Sequence, residues 1–197
     1  MDKKLKKYIE RYDVIQDCEA NELKPNGGMI VLINQETECE VLIENSSYAL
    51  NSFQAMLINA YEESVHIRCS EKANLMAVRF RGAGASFFYE EQMNELMQVP
   101  KEPVFIENNI LENEVDSYFK KRLTPSKLPF NIMKIIDLLD KQGSDYSIDE
   151  VLAIANVPRK ILDKMFSLRT GLTFKTYASL TELHQRNKGV YHYLCKR

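Results

Sequence analysis

The sequence predicts an α+β protein: an N-terminal antiparallel β barrel or sandwich followed by a small all-α domain built on a helix-turn-helix. Three observations carry this reading. Apolar residues alternate with period two, or form short apolar runs, from about residue 28 to residue 81. After residue 85 they recur three and four apart, the spacing of helices. The charge balance also reverses. Residues 1–119 hold 11 Lys and Arg against 21 Asp and Glu, and residues 120–197 hold 15 against 7. The reversal coincides with Thr124-Pro125-Ser126-Lys127-Leu128-Pro129, whose two prolines disfavour continued helix. The expected organisation is a β-rich domain over 1–105, a connecting helix and linker over 106–129, and a helical domain over 130–197.

In the first part, strands are expected at Met29–Ile33, Cys39–Ile43, Phe53–Tyr61, Val65–Cys69 and Leu75–Arg81. Polar, turn-forming stretches such as Pro25-Asn26-Gly27-Gly28 and Glu44-Asn45-Ser46-Ser47 separate them. Helices are expected at Ala85–Val99, Glu107–Leu123 and Phe130–Gln142, the last with Ile132, Ile135, Ile136 and Leu139 on one face and Gly143 at its end.

The helix-turn-helix is read between residues 146 and 177. Ser147-Ile148-Asp149-Glu150 fits a capping box, and Tyr146 and Val151 stand where a hydrophobic staple forms. Asn156 tolerates the left-handed backbone of a tight inter-helix turn, and Pro158 suits the first turn of a second helix. In that helix Ile161, Leu162, Met165 and Phe166 form the expected buried stripe. Gly171 reads as the cap after it. Thr173 can cap a third helix whose inner face includes Phe174, Tyr177 and Leu180. The outward residues of the second helix are Arg159, Lys160, Asp163, Lys164 and Ser167. In a helix-turn-helix the N-terminal part of the second helix meets base edges. An Arg at 159 can pair with guanine, a Lys at 160 or 164 can meet a phosphate, and a carboxylate at 163 can accept from cytosine. Arg169, near the helix end, complements the helix dipole.

Composition narrows the function classes. No apolar stretch approaches the roughly 20 residues of a spanning helix, and the charged N-terminus MDKKLKKYIERYD is no secretory signal. The four cysteines (18, 39, 69 and 195) form no C-x-x-C pair and read as thiols of a reducing compartment, which implies a cytoplasmic protein. The basic C-terminal part suits a polyanion. The three histidines, His66, His184 and His192, are scattered, so no metal site is expected. Neither a phosphate-binding glycine loop nor a nucleophile elbow is present, so no cofactor and no enzyme is expected. Arg79 and Arg81 share a strand face by alternation and are candidates for an anionic ligand or for pairing with the acidic part. Met56, Met76, Met93 and Met97 read as core fillers.

The stretch from about 130 to 183 resembles the first helix-turn-helix of AraC/XylS-family transcriptional regulators, through Phe166, Thr170-Gly171, Phe174 and Tyr177. The order of modules is similar too: a β-rich, cupin-like sensor followed by a helical DNA-binding part. Residues 79–85, Arg-Phe-Arg-Gly-Ala-Gly-Ala, resemble an Arg-Phe-x-Pro-Gly segment of one subgroup of those sensors. The resemblance implies double-stranded DNA as partner, a small-molecule effector and a homodimer. It departs from the family at several positions. Leu152 stands where a small residue is usual and Ala155 where a Leu is usual. Asn156 replaces the turn glycine, Pro158 the capping Ser, and Glu182 a basic residue. The family carries two such units, whereas the 20 residues after Tyr177 are expected to hold only a connecting helix. A homodimer would then supply two reading heads on a palindromic site. The alternative is a ligand-binding or protein-interaction regulator with a degenerate helix-turn-helix that does not bind DNA.

Overall fold

The computed structural model describes residues 1–24, 28–59, 64–89, 102–124, 134–139, 148–170, 172–179 and 182. Its architecture is α+β: one curled antiparallel sheet, a half-barrel, followed by helices.

The spine of the sheet is β6 (Val65–Phe80). Along one edge it pairs with β1 (Ile9–Leu23), from Ile9 opposite Phe80 to Leu23 opposite Val65, with register shifts around residues 9–11 and 15–20. Two strands share its other edge. β2 (Ile30–Asn34) pairs with residues 75–79, and β3 (Cys39–Ile43) pairs with residues 65–69. β4 (Ser46–Leu50) extends the sheet from β3, while β5 (Gln54–Ile58) and β7 (Val104–Asn108) extend it from β2. The spine therefore carries two arms, and Glu44 turns the β3–β4 hairpin with a left-handed φ of 51°.

Strand pleating sorts the apolar side chains into two cores. Val31, Ile33, Met76, Val78 and Phe80 join Leu5, Phe87, Phe88, Val115 and Phe119 in one. Ile30, Leu32, Leu75 and Ala77 join Val41, Ile43, Met56, Val65 and Ile67 in the other. This double burial explains why residues 29–33 read as an unbroken apolar run, and all five residues of β2, the polar Asn34 included, are buried. The first core is capped by a 3-10 turn over Gly82–Phe87 and by α1 (Val115–Arg122), and Phe80, Phe88, Tyr89 and Phe119 meet there edge to face or tilted.

Several sequence expectations need correction. Val65–Cys69 and Leu75–Arg81 belong to one continuous strand, because β1 pairs along its whole length. β1 and β4 were not expected. Residues 107–108 lie in β7, and the helix expected from 107 begins only at Val115, after a 3-10 turn over Glu112–Glu114. The expected helix Ala85–Val99 starts as a 3-10 turn, and its residues 90–99 lie outside the described residues.

A third core holds the helical part: Ile135, Ile136 and Leu139 of a helical segment 134–139, with Val151, Ala155, Leu162, Phe166, Phe174 and Tyr177. It meets the sheet domain at Gly82. There the backbone takes φ +41°, and a Cβ would lie 2.6 Å from the Tyr177 hydroxyl oxygen and 2.7 Å from Ile136 Cγ2. Two residues on, a Cβ at Gly84 would lie within 2.1 Å of the Tyr8 carbonyl oxygen. Both positions need glycine for close approach, the first for its backbone conformation as well.

Candidate nucleic-acid interface

The helix-turn-helix consists of α2 (Ile148–Ala155) and α3 (Arg159–Thr170). Asn156 makes the turn with φ 50°, and its amide donates to the Leu152 carbonyl at 2.9 Å. The Pro158 carbonyl accepts from the Ile161 and Leu162 amides at 2.9 and 3.1 Å, so the proline stands at the start of α3, where its missing N–H costs nothing. Thr173 caps the next helical segment, 174–179, by accepting the Thr176 amide on its hydroxyl at 3.2 Å. Phe166 anchors the unit, with ring centroids 5.3 Å from Phe174 and 5.6 Å from Tyr177. At the two exchanged positions Ala155 is buried and Leu152 half-buried against the same core, so the larger residue takes the flank of the helix contact. The residues expected for the capping box and staple (Tyr146, Ser147) and the closing Gly171 lie outside the described residues, as do His184, His192 and Cys195.

The buried face of α3 is set by Leu162 and Phe166, four residues apart. At about 100° per residue, the direction opposite them carries Lys160, Lys164, Leu168 and Ile161. Lys160 and Lys164 are exposed. Ile161 does not belong to the buried stripe: it is 48 % exposed, and Leu168, about two turns further along the same side, is 43 % exposed. Met165 is half-buried against the core. The outward face is thus a basic ridge beside an apolar one. Sequence periodicity missed the apolar ridge, because an apolar residue next to a core position reads as core.

Arg159 is exposed at the N-terminal end of α3, with its Nε 3.9 Å from the Asp163 carboxylate one turn on. This pair, at the limit of ion-pair reach, links two residues one turn apart on α3. Ser167 is half-buried on the rim of the same face. Arg169 lies in α3, and its side chain is outside the described residues.

The structure separates the two candidate ligand-binding arginines. Arg79 follows Leu75 and Ala77 on the strand face of the second core and is only 4 % exposed. Its Nε donates to Asp13 Oδ2 at 2.5 Å and its Nη1 to the Lys24 carbonyl at 2.8 Å, while Arg11 holds the other Asp13 oxygen at 2.7 Å. Arg81 lies beyond the end of β6, exposed, with its amide donating to the Tyr8 carbonyl at 2.8 Å. Alternation fails because the strand stops at Phe80. Among the described residues, no three His, Cys, Asp or Glu side chains come together as a metal site, and no helix is long and apolar enough to cross a membrane.

Fold and site together define an α+β chain in which a half-barrel precedes a helix-turn-helix. A similar fold is found in solved structures of ToxT from Vibrio cholerae. One, at 1.65 Å resolution, has a TM-score of 0.50 and 13 % identity, covering 87 % of this chain and 79 % of that one. A second, ToxT bound to (E)-4-(8-methylnaphthalen-1-yl)but-3-enoic acid, has the same TM-score and identity, with 87 % and 80 % covered. The AraC-like transcriptional activator CuxR matches more loosely, at a TM-score of 0.31 and 10 % identity over 92 % of this chain and 77 % of that one. No family model matches the chain, and no curated protein matches it in sequence.

Proposed function

We propose that this chain is a cytoplasmic transcriptional regulator of AraC type that reads the DNA major groove with residues 158–168. The carrying observation is the outward face of α3, where Lys160 and Lys164 stand opposite the buried Leu162 and Phe166 with Arg159 at the N-terminal end. The basic balance of residues 120–197 supports a polyanionic partner. In this reading residues 1–105 form the sensor and dimerisation domain, 106–129 connect it, and 130–197 contact DNA through Arg159, Lys160, Asp163, Lys164, Ser167 and Arg169. A homodimer brings two α3 helices to half-sites about 34–36 Å apart. The likeness to ToxT, seen with a bound naphthalenyl butenoic acid, supports an apolar carboxylic acid as the effector class. Arg79 is the cation for it, exchanging Asp13 for the ligand carboxylate.

One observation favours a second reading. Ile161 and Leu168 expose apolar surface on the same face, as a helix-turn-helix that docks a protein instead of DNA would. Fluorescence anisotropy on labelled duplexes enriched from a random pool, at 50 and 200 mM salt, separates the two. The DNA reading requires binding that falls steeply with salt, and salt-independent or absent binding by a dimeric sample overturns it.

A further inference from the structure

Cys39 and Cys69 are 30 positions apart in sequence and stand directly opposite each other across the β3–β6 ladder. Residues directly opposite in an antiparallel pair share a face, with Cα atoms about 4.5 or 5.5 Å apart depending on the hydrogen-bonding pattern. Either spacing falls within the roughly 4.4–6.8 Å that a disulfide requires. The environment agrees with the register. Cys39 is 2 % exposed within the second core, Cys69 is half-buried against the same core, and both are thiols. The Cys39 thiol donates to the Thr37 carbonyl at 3.3 Å. Both residues border one solvent-open hollow of about 620 Å³, shared with Glu38, Glu40, Arg68 and Ser70, so a small reagent can reach the pair from outside.

We propose that Cys39 and Cys69 are a dithiol modification site that closes to an intrachain disulfide by exchange with a low-molecular-weight disulfide. The better exposed Cys69 attacks first: its thiolate displaces one half of the reagent as a thiol and retains the other as a mixed disulfide. The Cys39 thiolate then attacks Cys69 Sγ and expels the second half. Two protein thiols and one small disulfide become one protein disulfide and two small thiols, so the protein is oxidised by two electrons and the reagent reduced by two. The new bond staples the β3–β4 arm to the spine and encloses β4 and β5, constraining the unfolded chain as well as the sheet.

The test incubates the whole folded protein with oxidised and reduced glutathione at graded ratios, followed by intact mass, peptide mapping and thermal unfolding. The expected product has lost two hydrogens and carries no glutathione. Its peptides are linked through Cys39 and Cys69, and its unfolding midpoint is several degrees higher. Replacing Cys18 and Cys195 by Ser preserves the product. In Cys39→Ser the adduct stays on Cys69, and in Cys69→Ala no linked peptide forms and the midpoint does not rise. A stable glutathione adduct in the unmutated protein, a link from either residue to Cys18, or thiols that react only after denaturation each overturns the proposal.

Discussion

Gly82→Ala probes the joint between the sheet and the helix-turn-helix. Two costs add at this position. The backbone has φ +41°, and placing a side chain in the left-handed region costs about 1–2 kcal/mol. The new methyl would also lie 2.6 Å from the Tyr177 hydroxyl oxygen and 2.7 Å from Ile136 Cγ2, and overpacking of this kind costs about 1–3 kcal/mol. The sum is about 2–5 kcal/mol against the assembled molecule. The two costs can be separated, because Tyr177→Phe removes one of the clashing atoms while the ring stays against Phe166. In urea unfolding, Gly82→Ala should lower stability by that amount, and adding Tyr177→Phe should restore about 1 kcal/mol of it, a coupling that a double-mutant cycle isolates. Gly84→Ala is the control, since there the obstacle is the Tyr8 carbonyl and Tyr177→Phe should restore nothing. A Gly82→Ala variant within 0.5 kcal/mol of the parent (about the scatter of an ordinary surface change), or one showing no coupling to residue 177, would refute the packing described for this joint.

Asp13→Ala leaves the Arg79 guanidinium buried without its carboxylate. Because Asp13 retains some exposure, the loss should be about 2–3 kcal/mol rather than the full buried-pair figure, and Asp13→Leu with Arg79→Met should recover over half of it in the same urea titration. The half-buried Tyr12 hydroxyl donates to Asp116 at 2.7 Å, and burial first, then this carboxylate, push the phenol well above its ordinary range. A group whose folded pKa is raised contributes stability that is intact below its unfolded value of 10.0 and is lost as pH rises beyond it. Tyr12→Phe should therefore cost about 1–2 kcal/mol at pH 7 and weaken the alkaline decline above pH 10, measured by denaturant midpoints across pH. In a selected duplex, exchanging thymines for uracils removes methyl groups that Ile161 and Leu168 can contact. Each lost contact should weaken binding about fourfold, the equivalent of about 0.8 kcal/mol, and the loss should vanish in an Ile161→Ala variant if that residue makes the contact.

The parts legible in the sequence are those whose local pattern and tertiary fate coincide. Cys39–Ile43 shows alternate burial in the structure, so its boundaries match the periodicity. The turn at Asn156 and the cap at Thr173 are short-range devices that a few residues specify. β1 escaped notice because IERYDVIQDCEANEL buries few apolar residues and owes its extended form to pairing with β6. Ser70, Glu71 and Lys72 read as a break between strands, yet they stay extended within β6 although exposed. Ile161 shows the limit at the site itself. Its neighbours Leu162 and Phe166 fix the buried direction, and only the packing of the third core decides which flanking apolar residue is left in solvent. The partner of Arg79 was out of reach for a related reason, since Asp13 lies 66 positions away on a strand that the pattern did not reveal.

The most direct test of the central claim is the salt dependence of DNA binding by the parent chain and by a Lys160→Ala, Lys164→Ala variant on one selected duplex. If these lysines meet phosphates, the slope of log K against log salt should fall in magnitude by about 3.6 for the dimer, four contacts at about 0.9 each, while urea unfolding remains unchanged because both side chains are exposed. An unchanged slope in a variant that folds and dimerises as the parent does would contradict the assignment of α3 as the DNA-reading helix.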